Sequence, residues 1–428
     1  MEKLPTEIMV MILDLSDFKS QTRFIFASKT NKYLTKYWKI TEMIHINEKV
    51  LKWAHYDNLI SIYVRKLMKV YPKKLRHLIF SRDFNKPINK DNISKTVTHI
   101  KFGDFFDQTI DELPSLIKNI EFGHCFDQSV DKLPSSIKNI NFGGNFNQTV
   151  DKLPSSIKNI KFSWNFNKSV DKLPSLIKNI EFGYWFNQTV DKLPSSIKSI
   201  KFGDIFNQSV DKLPSSIKSI KFGYYFNQTV DNLPLSIKNI KFGHCFNQSI
   251  DELPSSIKRI KFGADFNQSV DKLPSGARSV RHNLVFSEKE IRRKPSSIES
   301  IEFGNDFNQP IEKLPLTMTH LALGWKFNQP LKEIPPTVTH LIIKCERLNG
   351  KIPETVTHLT IHCWQYKEEH IPRSVTHLTI KGTELKNKKI PKTVIHLTLN
   401  TLIDIIIPET VMTLIMNGKK VERRKINV

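Results

Sequence analysis

A nearly identical segment of 20 residues recurs along most of this chain, and this repetition constrains the fold more than any other feature. Three successive copies read IKNINFGGNFNQTVDKLPSS, IKNIKFSWNFNKSVDKLPSL and IKNIEFGYWFNQTVDKLPSS. One proline marks each copy from Pro114 to Pro335, with a one-residue insertion before Pro295. Shorter copies follow, and early copies lie at Pro72–Phe80 and Ile93–Phe102. These anchors predict about 18 stacked coils, each burying its apolar side against its neighbours.

The spacing of apolar residues within one copy indicates a strand and not a helix. Ile140 and Phe142 are two residues apart, so their side chains lie on one face of a β-strand. A helical return between parallel strands takes about a dozen residues plus loops. Pro154 and the polar FNQ turn leave no room for such a helix. The sequence therefore predicts a mostly β fold, a leucine-rich-repeat-like β-solenoid.

An Asn or Asp follows the second phenylalanine of almost every copy. The column consists of Asp107, Asp127, Asn147, Asn167, Asn187, Asn207, Asn227, Asn247, Asn267, Asn308 and Asn328. Both residue types offer a side-chain oxygen that accepts a backbone N–H two residues further on, as in an Asx-turn. We therefore expect this column to stabilise a local turn within each coil. We favour this structural role over the alternative that the column is a polar row that binds a partner.

The pattern FGxxFNQxVxxLPxSIKxI resembles FNIP repeats, relatives of leucine-rich repeats found mainly in social amoebae and in giant viruses of amoebae. The resemblance extends from about Pro72 to Asn417. It implies a solenoid fold and suggests a protein of a giant amoeba-infecting virus of mimivirus type. The copies here are slightly shorter than is usual for the family, which suggests tighter turns.

The N-terminal residues resemble an F-box. The segment LPTEI at 4–8 is followed by the pair Ile12–Leu13, then by FIFASK at 24–29 and the aromatic pair at 37–38. In that family such a helix docks into the adaptor subunit of a cullin-RING ubiquitin ligase. The resemblance assigns this contact to Leu4, Pro5, Ile8, Ile12 and Leu13. The alternative is that the segment only caps the open end of the solenoid, which every solenoid must cover.

The sequence divides into four regions. Residues 1–45 are expected to form the F-box-like helical domain, and residues 46–71 a helical joint, since Val50, Leu51, Ile62 and Leu67 suit a helix. Residues 72–417 form the repeat solenoid, and residues 418–428 a basic tail.

The two residues after each Phe-Gly vary most between copies, and variable loops on a fixed scaffold carry specificity in repeat proteins. Aromatic residues recur there. Because exposed Trp and Tyr are over-represented at binding hot spots, we predict a target-binding patch of Trp164, Tyr184, Trp185, Tyr224 and Tyr225. The alternative is that these rings pack against one another as a structural row.

A second column is made of histidines placed just before the first inward residue of a strand. Its members are His77, His99, His320, His340, His358, His377 and His396. A metal site needs three or four ligands converging on one ion. A flat outward row converges poorly, so we predict no metal site and no cofactor. Stacked imidazoles should resist protonation, which predicts loss of C-terminal order below about pH 6.

The four cysteines are too few and too scattered for a secreted disulfide framework, so a reducing compartment is expected. Cys345 and Cys363 are one strand spacing apart, and a disulfide is geometrically possible there, but reducing surroundings argue against it. The start of the chain lacks the pattern of a signal peptide, and no apolar run reaches the length of a membrane span. We expect a soluble intracellular protein, in the host cytoplasm or nucleus if viral.

No unique nucleophile with a base, no phosphate-binding loop and no isolated carboxylate pair is found, so no enzyme activity is expected. The leading hypothesis is a substrate-recruiting adaptor whose F-box binds the ligase adaptor and cullin and whose solenoid binds a target protein. The alternative is a repeat scaffold outside any ligase that binds an acidic protein or nucleic acid, which the formal net charge of +23 would suit. We interpret the charge chiefly as a biased composition that fills solvated positions with lysine, so a nucleic-acid partner is not expected.

Overall fold

The computed structural model describes residues 44–45, 57, 59–274, 298–348, 350–365, 367–382, 390–400 and 407–421. The chain divides into two compact units, residues 1–183 and residues 184–428. Both units are built from the same coil, a short strand followed by an irregular return. The predicted fold class is confirmed: the protein is mostly β, a β-solenoid of leucine-rich-repeat type.

The first unit contains a ladder of eight parallel strands. They are β1 (Ile44–His45), β2 (Ser61–Val64), β3 (His77–Phe80), β4 (His99–Lys101), β5 (Asn119–Glu121), β6 (Asn139–Asn141), β7 (Asn159–Lys161) and β8 (Asn179–Glu181). Each strand pairs with the next one along the chain. Equivalent repeat positions face each other, as Ile140 faces Ile160. Columns of the sequence are therefore columns in space.

The second unit continues the same pattern with strands β9 to β20. They are β9 (Ser199–Lys201), β10 (Ser219–Lys221), β11 (Asn239–Lys241), β12 (Arg259–Lys261), β13 (Ser300–Glu302), β14 (His320–Leu323), β15 (His340–Arg347), β16 (His358–Gln365), β17 (His377–Ile380), β18 (His396–Leu399), β19 (Thr413–Met416) and β20 (Lys419–Val421). Two short 3-10 turns lie at Leu331–Glu333 and Glu368–His370. Strands β9 to β19 pair in parallel, and β20 folds back antiparallel on β19. Asn417 and Gly418, both at positive φ, make that turn.

Two columns of stacked phenylalanines fill the core. Within one coil the rings of Phe142 and Phe146 lie 4.0 Å apart, and Phe142 lies 5.8 Å from Phe162 of the next coil. All three side chains are buried, as are the strand residues Ile140 and Ile160. Each coil therefore shares a continuous apolar core with its neighbours.

The Asn column stabilises the fold by a different route from the predicted one. The Oδ1 atom of Asn147 accepts the backbone N–H of Asn167, the same column residue of the next coil, at 2.9 Å. Asp127 accepts the backbone N–H of Asn147 in the same way at 2.7 Å. The prediction of an Asx-turn within one coil is wrong here, because the side-chain oxygens of Asp127 and Asn147 accept backbone N–H groups of the next coil. The column is a row of hydrogen bonds between coils.

The predicted helical joint also needs correction. Residues Ser61–Val64 form strand β2, paired with β1 on one side and β3 on the other. Ile62 and Val64 are buried while Tyr63 between them is half-buried, the alternation of a strand. The strand ladder thus begins before Pro72. The predicted adaptor contacts Leu4, Pro5, Ile8, Ile12 and Leu13 lie outside the described residues, and the basic tail begins as strand β20.

Cys345 and Cys363 form a disulfide between β15 and β16, with their Cα atoms 4.7 Å apart. The expectation that they stay unpaired is wrong for this structure. The strand register places the two residues directly opposite each other, so the bridge needs no movement of the backbone. In the part of the chain that is described, no helix has both the length and the apolar character needed to cross a membrane.

Candidate functional site

The variable pair after each Phe-Gly forms one exposed edge of each unit, which we name the loop edge. Its backbone is held by a second row of hydrogen bonds. The N–H of the second pair residue donates to the carbonyl of the first pair residue one coil earlier, from Ile205 to Tyr184 at 3.0 Å and from Tyr225 to Asp204 at 2.9 Å. The variable side chains therefore stand on a fixed backbone, in register from coil to coil.

The glycine before each pair allows this close approach. A Cβ atom on Gly223 would lie 1.8 Å from the carbonyl oxygen of Gly203 in the preceding coil. In the coil of Trp164 the position is taken by Ser163, which is buried and whose hydroxyl donates to the Phe146 carbonyl at 2.5 Å. Small residues at this column keep neighbouring loops in hydrogen-bonding contact.

The predicted aromatic residues lie on the loop edge, Trp164 in the first unit and the others in the second. The exposed fraction is 57% for Trp164, 50% for Trp185, 42% for Tyr224 and 48% for Tyr225, and Tyr184 is half-buried. The rings of Tyr184 and Trp185 meet edge to face at 5.2 Å, and those of Tyr224 and Tyr225 at 4.8 Å. The rings thus support one another while much of their surface faces solvent.

Some exposed apolar residues were not among the predicted contacts. Leu116 and Leu176 in the first unit and Leu235 in the second are 54%, 49% and 82% exposed. Each replaces a serine of the LPSS segment that other copies carry at the same place. A position-by-position comparison of the copies would have identified these three leucines.

The loop edge of the second unit also gathers His244, Cys245 and Asp265, a group that the sequence analysis did not assemble. The Nδ1 atom of His244 lies 3.1 Å from Oδ1 of Asp265, and the three side-chain donor atoms lie within 4.8 Å of one another. The imidazole stacks on the ring of Tyr224 at 4.6 Å. Burial, with the neighbouring Asp265 carboxylate, raises the pKa of the Cys245 thiol. Cys245 and Asp265 are 20 residues apart, so only the folded coil brings them together.

The outward strand positions of the second unit carry a row of lysines. Lys201, Lys221, Lys241 and Lys261 face one another in register on β9 to β12. Burial, followed by the charges of Lys221 and Lys261, lowers the pKa of Lys241. Lys261 is ion-paired with Glu302 of the next strand, so the positive charge of the row is concentrated at Lys221 and Lys241, which stand one strand spacing apart.

The predicted outward histidine column is confirmed on β14 to β18. Neighbouring rings stack with centroids 4.0 to 4.3 Å apart. The Nδ1 atom of His340 is hydrogen-bonded to Oγ1 of Thr339 at 2.9 Å. Burial and the neighbouring histidines lower the pKa of both His340 and His377. The packing of the row therefore favours the neutral form of His340 and His377.

The parallel short strands, the irregular returns and the stacked apolar columns define a repeat solenoid of the leucine-rich-repeat type, a class of protein-protein interaction scaffold that is typically non-enzymatic. The family model described as FNIP Repeat matches residues 69–105, 149–184, 169–204, 206–245, 246–280, 295–326 and 307–346. These matches cover slightly more than half of the chain, and the chain belongs to the FNIP-repeat family. The curated proteins include no significant sequence match.

One solved structure supports the fold, and two others also match. The chain is similar to CroV588 of the giant virus CroV, described as a novel circular LRR protein, with 27% identity and a TM-score of 0.60 over 85% of this chain and 67% of that one. YopM from Yersinia enterocolitica WA-314 matches with 14% identity and a TM-score of 0.41 over 83% of this chain and 91% of that chain. A leucine-rich repeat protein from Bacteroides ovatus matches with 12% identity and a TM-score of 0.16, over 83% and 82%.

Proposed function

We propose that this protein is a substrate-recruiting adaptor: its N-terminal residues bind the adaptor subunit of a cullin-RING ubiquitin ligase, and the loop edge of the solenoid binds a target protein. The observation that carries the target-binding part is the group of exposed aromatic rings on a hydrogen-bonded backbone. Trp185, Tyr224 and Tyr225 offer large amphipathic surfaces whose backbone is already ordered, so binding costs little conformational entropy.

The ligase part of the proposal is supported by the N-terminal sequence. The LPTEI segment and the Ile12–Leu13 pair resemble an F-box helix. In F-box proteins the apolar residues of such a helix are covered by the partner surface on which it docks. The loop edge and the N-terminal segment then have separate tasks, and each can be tested without the other.

The experiment compares the wild type and three variants in a pull-down from host-cell extract, probed for the ligase adaptor and cullin and for co-purifying proteins. Ile8→Asp/Leu13→Asp should lose the adaptor and cullin and keep the target. Trp185→Ala/Tyr225→Ala should keep the ligase subunits and lose the target. Leu235→Ser serves as the matched control, because it removes an exposed apolar side chain at a turn outside the loop edge and restores the residue of other copies. Recovery of the ligase subunits by none of the proteins would refute the adaptor role.

The lysine row favours a second function, a scaffold that binds nucleic acid or an acidic protein. Lysines that neutralise phosphates release counterions, so affinity should fall steeply with salt. The variant Lys221→Asn/Lys241→Asn replaces two lysines of the row by asparagine, which is the native residue at this column in another coil, Asn141. This variant should weaken single-stranded RNA binding and flatten its salt dependence. Binding that is strong, independent of salt and unchanged in the variant would exclude the row as a phosphate contact.

A further inference from the structure

The His244, Cys245 and Asp265 group is a cluster of side chains that the adaptor proposal does not use. Its three donors are an imidazole nitrogen, a thiol sulfur and a carboxylate oxygen, the ligand types that zinc takes in proteins. Calcium and magnesium prefer ligand sets made of oxygen only. The chemistry of the donors therefore points to one class of ligand, a divalent transition-metal ion of the zinc type.

The distances suit such an ion. Around a tetrahedral zinc, with bonds of about 2.0 to 2.3 Å, neighbouring donor atoms lie roughly 3.2 to 3.8 Å apart. The His244 and Asp265 donors are 3.1 Å apart, and the set as a whole lies within 4.8 Å. Rotation of the Cys245 side chain by little more than 1 Å, on the order of a thermal displacement, would close the set around one ion.

The backbone also holds the three residues in place. The N–H of Asp265 donates to the carbonyl of His244 at 3.0 Å, and the N–H of Cys245 donates to the carbonyl of Tyr224 at 2.9 Å. The next coil carries Asp306, which is paired with Lys326 at 3.1 Å. Two hydrogen-bonded coils thus present the ligands from a fixed frame, the arrangement that gives metal sites their affinity.

The chain contains a near-copy of this site that lacks one ligand. The segment FGHCF occurs at 122–126 as well as at 242–246. One coil after the first copy stand Gly144 and Asn145, where the second copy has Ala264 and Asp265. The His124 ring lies in the space that a Cβ atom on Gly144 would occupy, with Nδ1 only 2.1 Å from that position. The first copy therefore has neither the carboxylate nor the same ring position.

We infer that His244, Cys245 and Asp265 form a zinc-binding site on the loop edge, with the fourth position open to water or to a ligand from a bound partner. On binding, the thiol of Cys245 gives up its proton to solvent and becomes the thiolate ligand.

The test is a titration of the full chain, without an affinity tag containing histidine, with Co²⁺ as the spectroscopic probe and Zn²⁺ as competitor. A thiolate bound to Co²⁺ gives a charge-transfer band that histidine and carboxylate ligands do not give. Only Cys125 and Cys245 are free to produce it, since the other two cysteines are paired. We expect a band at one equivalent that Zn²⁺ abolishes, and that excess Mg²⁺ leaves unchanged.

Four variants separate this site from its near-copy. Cys245→Ser should abolish the band and Cys125→Ser should leave it unchanged. Asp265→Asn, which copies Asn145, should raise the dissociation constant about tenfold or more. Gly144→Ala/Asn145→Asp rebuilds the second copy's environment around Cys125 and should raise the stoichiometry from one ion to two. Absence of the band in the wild type, or its survival in Cys245→Ser, would overturn the inference and reduce the cluster to a His244–Asp265 ion pair.

Discussion

The row of Asn side chains between coils gives the sharpest test of how this solenoid is stabilised. The Oδ1 atom of Asn227 accepts the backbone N–H of Asn247 at 2.9 Å and the side-chain Nε2 of Gln248 at 3.1 Å. Replacement by alanine leaves both donors without this acceptor. A buried donor that loses its partner costs about 1 to 3 kcal/mol, and these groups are only partly buried. We therefore expect Asn227→Ala to destabilise the junction between the two coils by about 1 to 2 kcal/mol.

The matched control is Asn227→Asp, because Asp107 accepts the backbone N–H of Asp127 at 2.9 Å at the same column. The carboxylate keeps the acceptor, so this variant should stay within about 0.5 kcal/mol of the wild type. The measurement is amide hydrogen exchange at Asn247, which should be about 5 to 30 times faster in the alanine variant. Equal exchange at Asn247 in the alanine and aspartate variants would show that the side-chain acceptor contributes nothing.

Three further predictions concern other columns. Burial and the neighbouring histidines lower the pKa of His340 and His377, so the unfolded chain binds protons more readily, and the stability present above about pH 6.5 is lost as the pH falls. Exchange protection of β14 to β18 should therefore drop in acid, and His340→Asn/His377→Asn should reduce that drop. Cys345→Ser should lower the stability of β15 and β16 by about 2 to 4 kcal/mol, measured by exchange under oxidising conditions, and added reductant should reproduce the effect in the wild type. Lys212→Ala breaks a solvent-exposed 2.8 Å pair with Asp191 and should leave the melting temperature unchanged; a clear fall would show that these exposed pairs act as a network.

The sequence predicted the structure best for residues that pack against the equivalent residue of the neighbouring coil. Ile140 and Phe142 could be placed on one inward face, because side chains alternate along a strand. The chemistry of Asn147 could be predicted but its partner could not, because an acceptor oxygen serves equally well in a local turn and across to the next coil. Ser61–Val64 is too short a segment for periodicity to separate strand from helix.

The cluster of His244, Cys245 and Asp265 shows a different limit. Each residue occupies a variable position, so the repeat pattern gives no reason to join them. The parallel register of the coils brings Asp265 beside His244, and the hydrogen bond from the Asp265 N–H to the His244 carbonyl holds the two residues together. A cluster whose residues come from two successive coils is found only when the two copies are compared together. A search for motifs within single copies misses it.

The repeated register has a consequence for the gene that encodes this chain. A coil presents complementary backbone groups to its two neighbours: the N–H of Lys138 donates to the Lys118 carbonyl of the coil before it, and the Lys138 carbonyl accepts the N–H of Lys158 in the coil after it. Removing or adding one whole copy therefore preserves this hydrogen-bonding pattern at the new junction. Near-identical copies are also the substrate on which replication slippage and unequal recombination act. Such events change the number of variable loop positions along the edge in steps of one, while the new neighbours pair as the old ones did. The number of coils is therefore a heritable trait that can vary without a new fold having to be found.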